Sequence, residues 1–379
     1  MTTLLKNANV VLPDRKVATS VLIDDGKIAA IGNDVVADEE VDLSDCTLLP
    51  GFIDVHIHGA VGVDVMDATA TGLQQISDYL ATQGVTSWLP TFVPASDENY
   101  ASAVAVIAAA MSSSSGARIA GVHYEGPFVN TKQCGALHTE YFKTYSRPED
   151  LDFLVVPEGS VRMITLAPEV EGGVELVREL TRRGWVISIG HTRADLKVLD
   201  DACAAGARHM THFMNAMAPL HHRNPGPIAW GLSRDDVTVD LIADGIHLDP
   251  FMLRLLLKIK RSNRISLISD AIAAAGKGDG DYQIWGETIT VKNGRTANAS
   301  GSIAGSVISM LDAVNLLHSL GVSYLDLARM ASANPATLLG LAHDRGSIEI
   351  GKRADLVALD QTGKVKLTLL GGRSVPHPR

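Results

Sequence analysis

The chain has 379 residues, 46% of them hydrophobic, and 33 Lys and Arg against 43 Asp and Glu give a net charge of −10. That length accommodates an α/β barrel of about 250 residues with a smaller unit beside it, and the acidic balance, with a pI near 5.7, disfavours nonspecific nucleic-acid binding. No uninterrupted apolar run of about 18 residues suggests a membrane span. Met1-Thr-Thr-Leu-Leu-Lys-Asn lacks the features of a secretion signal, so a cytoplasmic location is expected. Cys46, Cys134 and Cys203 are scattered without Cys-x-x-Cys spacing, which points to reduced thiols rather than a disulfide framework or a thiolate metal site.

Residues 4–50 read as short strands and turns, with Asp25-Gly26 as a hairpin signal. The segments from Gly346 and from Lys364 read the same way. Between them, apolar strand candidates recur at Phe52–His58, Ser87–Val93, Ala120–Glu125, Met163–Pro168, Val186–His191, His209–Asn215, Val239–Asp244 and Ile265–Asp270. Helical stretches such as Gly72–Gln83, Tyr100–Met111, Gly173–Arg183 and Pro250–Lys260 separate several of them, as a parallel sheet with crossover helices requires. The expected fold is therefore α/β: a (β/α)8 TIM barrel over residues 50–345, with a small β-sandwich domain built by residues 1–49 and 346–379. Ser112–Ser115 reads as a short polar loop.

Barrel chemistry sits at the C-terminal ends of the strands. In the run Phe52-Ile-Asp-Val-His-Ile-His58, period-two geometry puts His56 and His58 on one face at such an end, where two imidazoles can grip one metal ion. Glu125 follows the third strand, His191 the fifth and Asp270 the eighth, while His212 falls on the sixth. One such histidine is unremarkable as a packing residue, but several with two acids at matching ends point to a metal site. Imidazole and carboxylate donors suit zinc and also iron, manganese or cobalt. A bound metal acidifies water, and a neighbouring carboxylate can accept its proton. Asp270 is the candidate for that base; its competing role is helix N-cap, because Ser269-Asp270-Ala271 precedes an alanine-rich segment.

Several longer segments carry a resemblance. Pro50-Gly-Phe-Ile-Asp-Val-His-Ile-His-Gly, His123-Tyr-Glu-Gly-Pro-Phe, Ile189-Gly-His-Thr, Thr211-His-Phe-Met-Asn-Ala-Met, Ile242-Ala-Asp-Gly-Ile-His, Leu267-Ile-Ser-Asp-Ala, Gly301-Ser-Ile-Ala-Gly-Ser and Asn334-Pro-Ala-Thr together resemble the amidohydrolase superfamily and, within it, the N-acetylglucosamine-6-phosphate deacetylase family. The resemblance implies that Glu125, His191 and His212 hold the principal metal, with Asp270 as general base and then acid, while His56 and His58 match ligands for a second ion, giving one or two ions per subunit. No counterpart of the bridging carboxylated lysine of many relatives stands out, and Glu125 takes that place. It further assigns Asn215, backbone Ala216, Arg223 and His247 to a phosphorylated amino sugar. Arg223 would come from a neighbouring subunit, which implies a homodimer. His138 and Cys134 lie in the loop Asn130–His138, where the family covers its substrate, and are candidate contacts. His221 and His222 read as solvated, and His123 as a core or supporting residue. The activity implied is hydrolysis of the sugar acetamide. The rival readings are a deacetylase or deacylase of another amino sugar or N-acyl amino acid, and a noncatalytic scaffold.

Overall fold

The computed structural model describes residues 1–112 and 115–376. Among these described residues, eight parallel strands form the barrel: β1 (Phe52–Ile57), β2 (Val85–Phe92), β3 (Gly121–Glu125), β4 (Val161–Leu166), β5 (Val186–Ile189), β6 (His209–Met210), β7 (Thr238–Ile242) and β8 (Ile265–Ile268). Each pairs with its successor. The seam between β8 and β1 closes just beyond the end of β8, where Ile57 bridges Ala271, Asp270 N–H donates to His56 O at 2.9 Å and His58 N–H donates to Ala271 O at 2.8 Å.

Crossover helices cover the outside. Pro250–Lys260 begins where Asp249 caps Phe251 N–H with Pro250 in the first turn, as both residue types favour, and buries Leu253 and Leu256 at about 1.5–3 kcal/mol each. The helices Ala70–Thr82 and Asp97–Met111 start earlier than apolar periodicity suggests, because Thr69 and Ser96 act as side-chain caps. The large core lies between strands and helices, from Trp88, Tyr124 and Leu241 to Ile76, Leu176 and Leu253. Inside the ring, Ile53, Val55, Leu89, Met163, Ile242 and Ile268 pack with Ala336 and Leu339.

Strands from both chain ends build a separate sheet. Thr3–Val11 pairs with Lys16–Asp24 on one side and, on the other, with Glu39–Asp42 and then Thr47–Pro50. Thr47–Pro50 in turn pairs antiparallel with Leu356–Leu359. Leu5, Val10, Val21, Leu48, Leu356 and Leu369 fill its own core. A feature absent from the sequence reading follows β8: Gly280–Ile284, Glu287–Lys292 and Arg295–Ala297 form a three-stranded antiparallel sheet.

Candidate metal centre and active site

Six side chains converge where β1, β3, β5, β6 and β8 end, with exposures from 0% at His56 to 7% at Asp270. On β1 the register against β2 shifts between Asp54 and Ile57, a break that re-aims side chains near a site; Thr91 Oγ1 there accepts the Ile57 N–H at 3.0 Å. Glu125 ends β3. His212 lies two residues beyond the short β6 rather than on it, and His191, His212 and Asp270 take positive φ values of 48°, 30° and 50°. Such backbone costs on the order of 1–3 kcal/mol per residue and concentrates at functional sites. Asp270 starts no helix: Ala271 is a β-bridge residue and residues 273–277 form turns, so the N-cap role does not apply.

Glu125 is the hub. Its Oε1 lies 2.9 Å from His191 Nε2 and 2.8 Å from His212 Nε2, while its Oε2 lies 3.3 Å from His58 Nε2 and its Oε1 3.6 Å from His56 Nε2. Asp270 Oδ1 stands 3.3 Å from His58 Nε2 and 3.5 Å from His56 Nε2. Burial alone would raise the Glu125 pKa, yet the His56 charge and the hydrogen bonds of His191 and His212 hold it well below the usual value. Burial opposes a charged His58, but Asp270 and Glu125 lift its pKa to about 10. Two acids thus draw positive charge into a buried space. The pairs His56/His58 and His191/His212 bring Nε2 atoms to 3.1 and 3.2 Å, a spacing that a shared cation accounts for. The donors form two sets through Glu125: His56, His58 and Glu125, and Glu125, His191 and His212. This chemistry fits a divalent ion.

The surroundings orient the imidazoles, as supporting groups around metal ligands do. His191 Nδ1 lies 2.7 Å from Gln133 O and His58 Nδ1 lies 3.1 Å from Thr91 O. Asp54 accepts from Ser269 Oγ at 2.5 Å, tying β1 to β8, and burial pushes its pKa to about 7. His123, fully buried, has Nδ1 3.0 Å from Val55 O and Nε2 2.8 Å from Thr165 Oγ1; burial keeps its pKa well below normal, so it stands as a neutral support beside His56. Ser306, from the Gly301–Ser306 segment, donates its N–H to Asp270 O at 2.7 Å and its Oγ–H to Ser269 O at 2.5 Å.

The amidohydrolase family model matches residues 47–375. The chain belongs to the amidohydrolase family. This amidohydrolase is 39% identical over 364 residues to N-acetylglucosamine-6-phosphate deacetylase of Bacillus subtilis (strain 168), covering 92% of this chain and 91% of the relative. It is 38% identical over 340 residues to N-acetylgalactosamine-6-phosphate deacetylase of Escherichia coli O157:H7, covering 89% of each. Its fold is similar, with a TM-score of 0.90, 32% identity and 99% of both chains covered, to a mutant of N-acetyl-D-glucosamine-6-phosphate deacetylase from Mycobacterium smegmatis in complex with N-acetyl-D-glucosamine-6-phosphate.

Residues that the sequence links to substrate lie in segments that follow different strands of this amidohydrolase. Asn215 and Ala216 follow β6, with Asn215 Nδ2 buried and without a hydrogen-bond partner and Ala216 at a φ of 49°. His247 follows β7, and its Nδ1 lies 2.6 Å from Asp244 Oδ2; against the upward push of burial, that contact keeps the Asp244 pKa low. Arg223 sits exposed in the loop His221–Asn224, its Nη1 2.8 Å from His222 Nε2, and among the described residues no hydrogen bond joins it to the Glu125 cluster. His138 Nδ1 faces Glu140 at 3.2 Å. Cys134 is half-buried at the end of the turn Thr131–Gln133. Sequence reasoning missed Gln133, which acts through its backbone carbonyl and so leaves no side-chain signature, and gave no role to Asp54 or Ser306, although both lie in the motifs quoted.

Proposed function

We propose that this protein hydrolyses the acetamide of N-acetylglucosamine 6-phosphate to glucosamine 6-phosphate and acetate. The observation that carries the reading is the Asp270 carboxylate placed within 3.5 Å of the histidines of a Glu125-centred cluster, in a chain whose relatives are sugar-phosphate deacetylases. A divalent ion held by Glu125, His191 and His212 would acidify a water and polarise the scissile carbonyl. Asp270 takes the proton of the attacking water and returns it to the amine nitrogen as the C–N bond breaks. Asn215, Ala216, His247 and a neighbouring subunit's Arg223 hold the phosphorylated sugar, the arginine offering a bidentate grip. His138 and Cys134 remain candidates for contacts from the covering loop. Zinc suits the donor set, with iron, manganese or cobalt as substitutes, and His56 and His58 provide for a second ion.

A homodimer is part of the proposal. Helix Pro250–Lys260 exposes Phe251, Leu255 and Ile259 at four-residue spacing, a stripe that a second copy would cover. A cytoplasmic location accords with three free cysteines. The second reading, favoured by near-equal identity to the galacto relative, is N-acetylgalactosamine 6-phosphate as substrate.

The test is acetate release from both phosphorylated epimers and from unphosphorylated N-acetylglucosamine, by wild type and Asp270→Asn, with metal content determined for each. Phosphate-dependent release that a metal-replete Asp270→Asn loses is the expected result. Cleavage of a different amide would sink the substrate assignment. A protein without stoichiometric metal that cleaves nothing would be a scaffold.

A further inference from the structure

The three-stranded sheet after β8 ends in a tight hairpin whose tip reaches the site. Ile284 pairs with Glu287, so the turn has two residues, Trp285 and Gly286, with φ of 53° and 76°. A two-residue turn with both φ positive favours Asn-Gly, and a bulky aromatic at its first position is strained. Strain of this kind persists where surrounding structure demands one side-chain placement. That placement is specific: the indole meets the His58 ring edge-on, with centroids 5.3 Å apart and planes at 84°. It also packs against the apolar cluster of Val93, Val129 and Leu137, which come from just beyond β2 and from the segment following β3.

Orientation around the ring then decides what this wall faces. The residues proposed for the sugar phosphate, Asn215, Ala216 and His247, follow β6 and β7, whereas His58, Val93 and Val129 follow β1, β2 and β3; in an eight-strand ring β2 stands opposite β6. The scissile carbonyl must sit between Asp270 and the Glu125 cluster. In a planar trans amide the sugar carbon on nitrogen and the acyl carbon on the carbonyl lie on opposite sides of the C–N bond. With the sugar directed towards β6 and β7, the acyl group is directed towards Trp285.

We propose that Trp285, backed by Leu137, walls off the acyl side of the site and restricts the cleaved N-acyl group to acetyl. This rests on the deacetylase reading above and extends it from the sugar to the acyl half of the substrate. An apolar wall discriminates by length: one methylene too many is worth roughly 10–200-fold in kcat/KM.

The experiment compares kcat/KM for N-acetyl-, N-propionyl- and N-butyryl-glucosamine 6-phosphate in wild type, Trp285→Phe, Trp285→Ala and Leu137→Ala, with metal content and Tm recorded for each. The expected result is a strong wild-type preference for acetyl and a butyryl-to-acetyl ratio that rises about tenfold or more in Trp285→Ala, less in Trp285→Phe. Leu137→Ala should shift the ratio the same way, and decides the matter if Trp285→Ala does not fold. Equal losses for all three substrates, or an unchanged ratio, overturn the proposal, since a merely structural tryptophan would lower all rates together. If wild type ignores the acetylated sugar phosphate, the substrate reading fails instead, and the ratio is read on the acyl series of the amide that it does cleave.

Discussion

The backbone N–H of Ser306 donates to the carbonyl oxygen of Asp270 at 2.7 Å, so the proposed base hangs from a neighbouring loop as well as from its own strand. Gly305 makes that approach feasible. It has a φ of 57°, and a Cβ there would fall 2.6 Å from Ile272 Cγ2 and 2.9 Å from Asp270 O. Gly305→Ala is therefore expected to displace Asp270 and lower kcat by about 10²-fold, the scale of a misplaced catalytic group, with metal content retained. Steady-state kinetics beside metal analysis check this; an unchanged kcat would refute it.

Glu125 belongs to both candidate ligand sets, whereas each histidine belongs to one. Glu125→Gln is expected to abolish all stoichiometric metal, and His191→Asn to remove one ion while leaving the His56/His58 set able to bind. Elemental analysis after dialysis reads the ratio directly. Metal at about 100 times its Kd should also stabilise wild type by about 2.7 kcal/mol against a chelated sample, a gain absent in Glu125→Gln.

Phe251 and Leu255 lie on the exposed face of one helix. If a second copy covers them, Phe251→Glu with Leu255→Glu should yield monomers by light scattering. The monomer should also lose the preference for phosphorylated sugar, because Arg223 would no longer reach a partner's site, and Arg223→Ala should raise KM about 10-fold or more for that substrate alone. A monomeric variant with wild-type KM would refute the shared site.

Lys260 is 2% exposed and donates to Gly231 O at 2.7 Å and to Arg234 O. Burial lowers its pKa from 10.5 to about 8. The charged form is thus disfavoured in the folded state. Below pH 8 both states carry the proton and the cost is fully present; between about 8 and 10.5 the unfolded chain holds more protons, so this contribution to stability rises with pH. Denaturant titrations across that range should show the rise in wild type and not in Lys260→Met.

Much of this architecture is legible in the sequence because barrel strands are short apolar runs with distinctive ends. The predicted Val186–His191 contains the observed Val186–Ile189, and Pro250–Lys260 matches residue for residue, since Asp249-Pro250 marks its start chemically. The strand predicted at His209–Asn215 shrinks to two residues, because His212 and Met214 adopt positive φ, which no propensity reveals for such residues. The six convergent site residues are found through residue type at strand ends. Gln133 is invisible because a carbonyl orients His191 there, and Trp285 because its role depends on a hairpin that carries a long side chain to a strand end far away in the sequence.

The sheet shared by the chain ends has a consequence for biosynthesis. Thr47–Pro50 pairs with Leu356–Leu359, made about 300 residues later. At about 5–20 residues per second, that edge of the nascent chain waits on the order of 15–60 s for its partner while presenting unpaired backbone, the kind of surface on which strands of different molecules join. The barrel can assemble in the meantime, but completion of the fold is set by the ribosome's progress, and protection of the growing N-terminal strands becomes a requirement for efficient production.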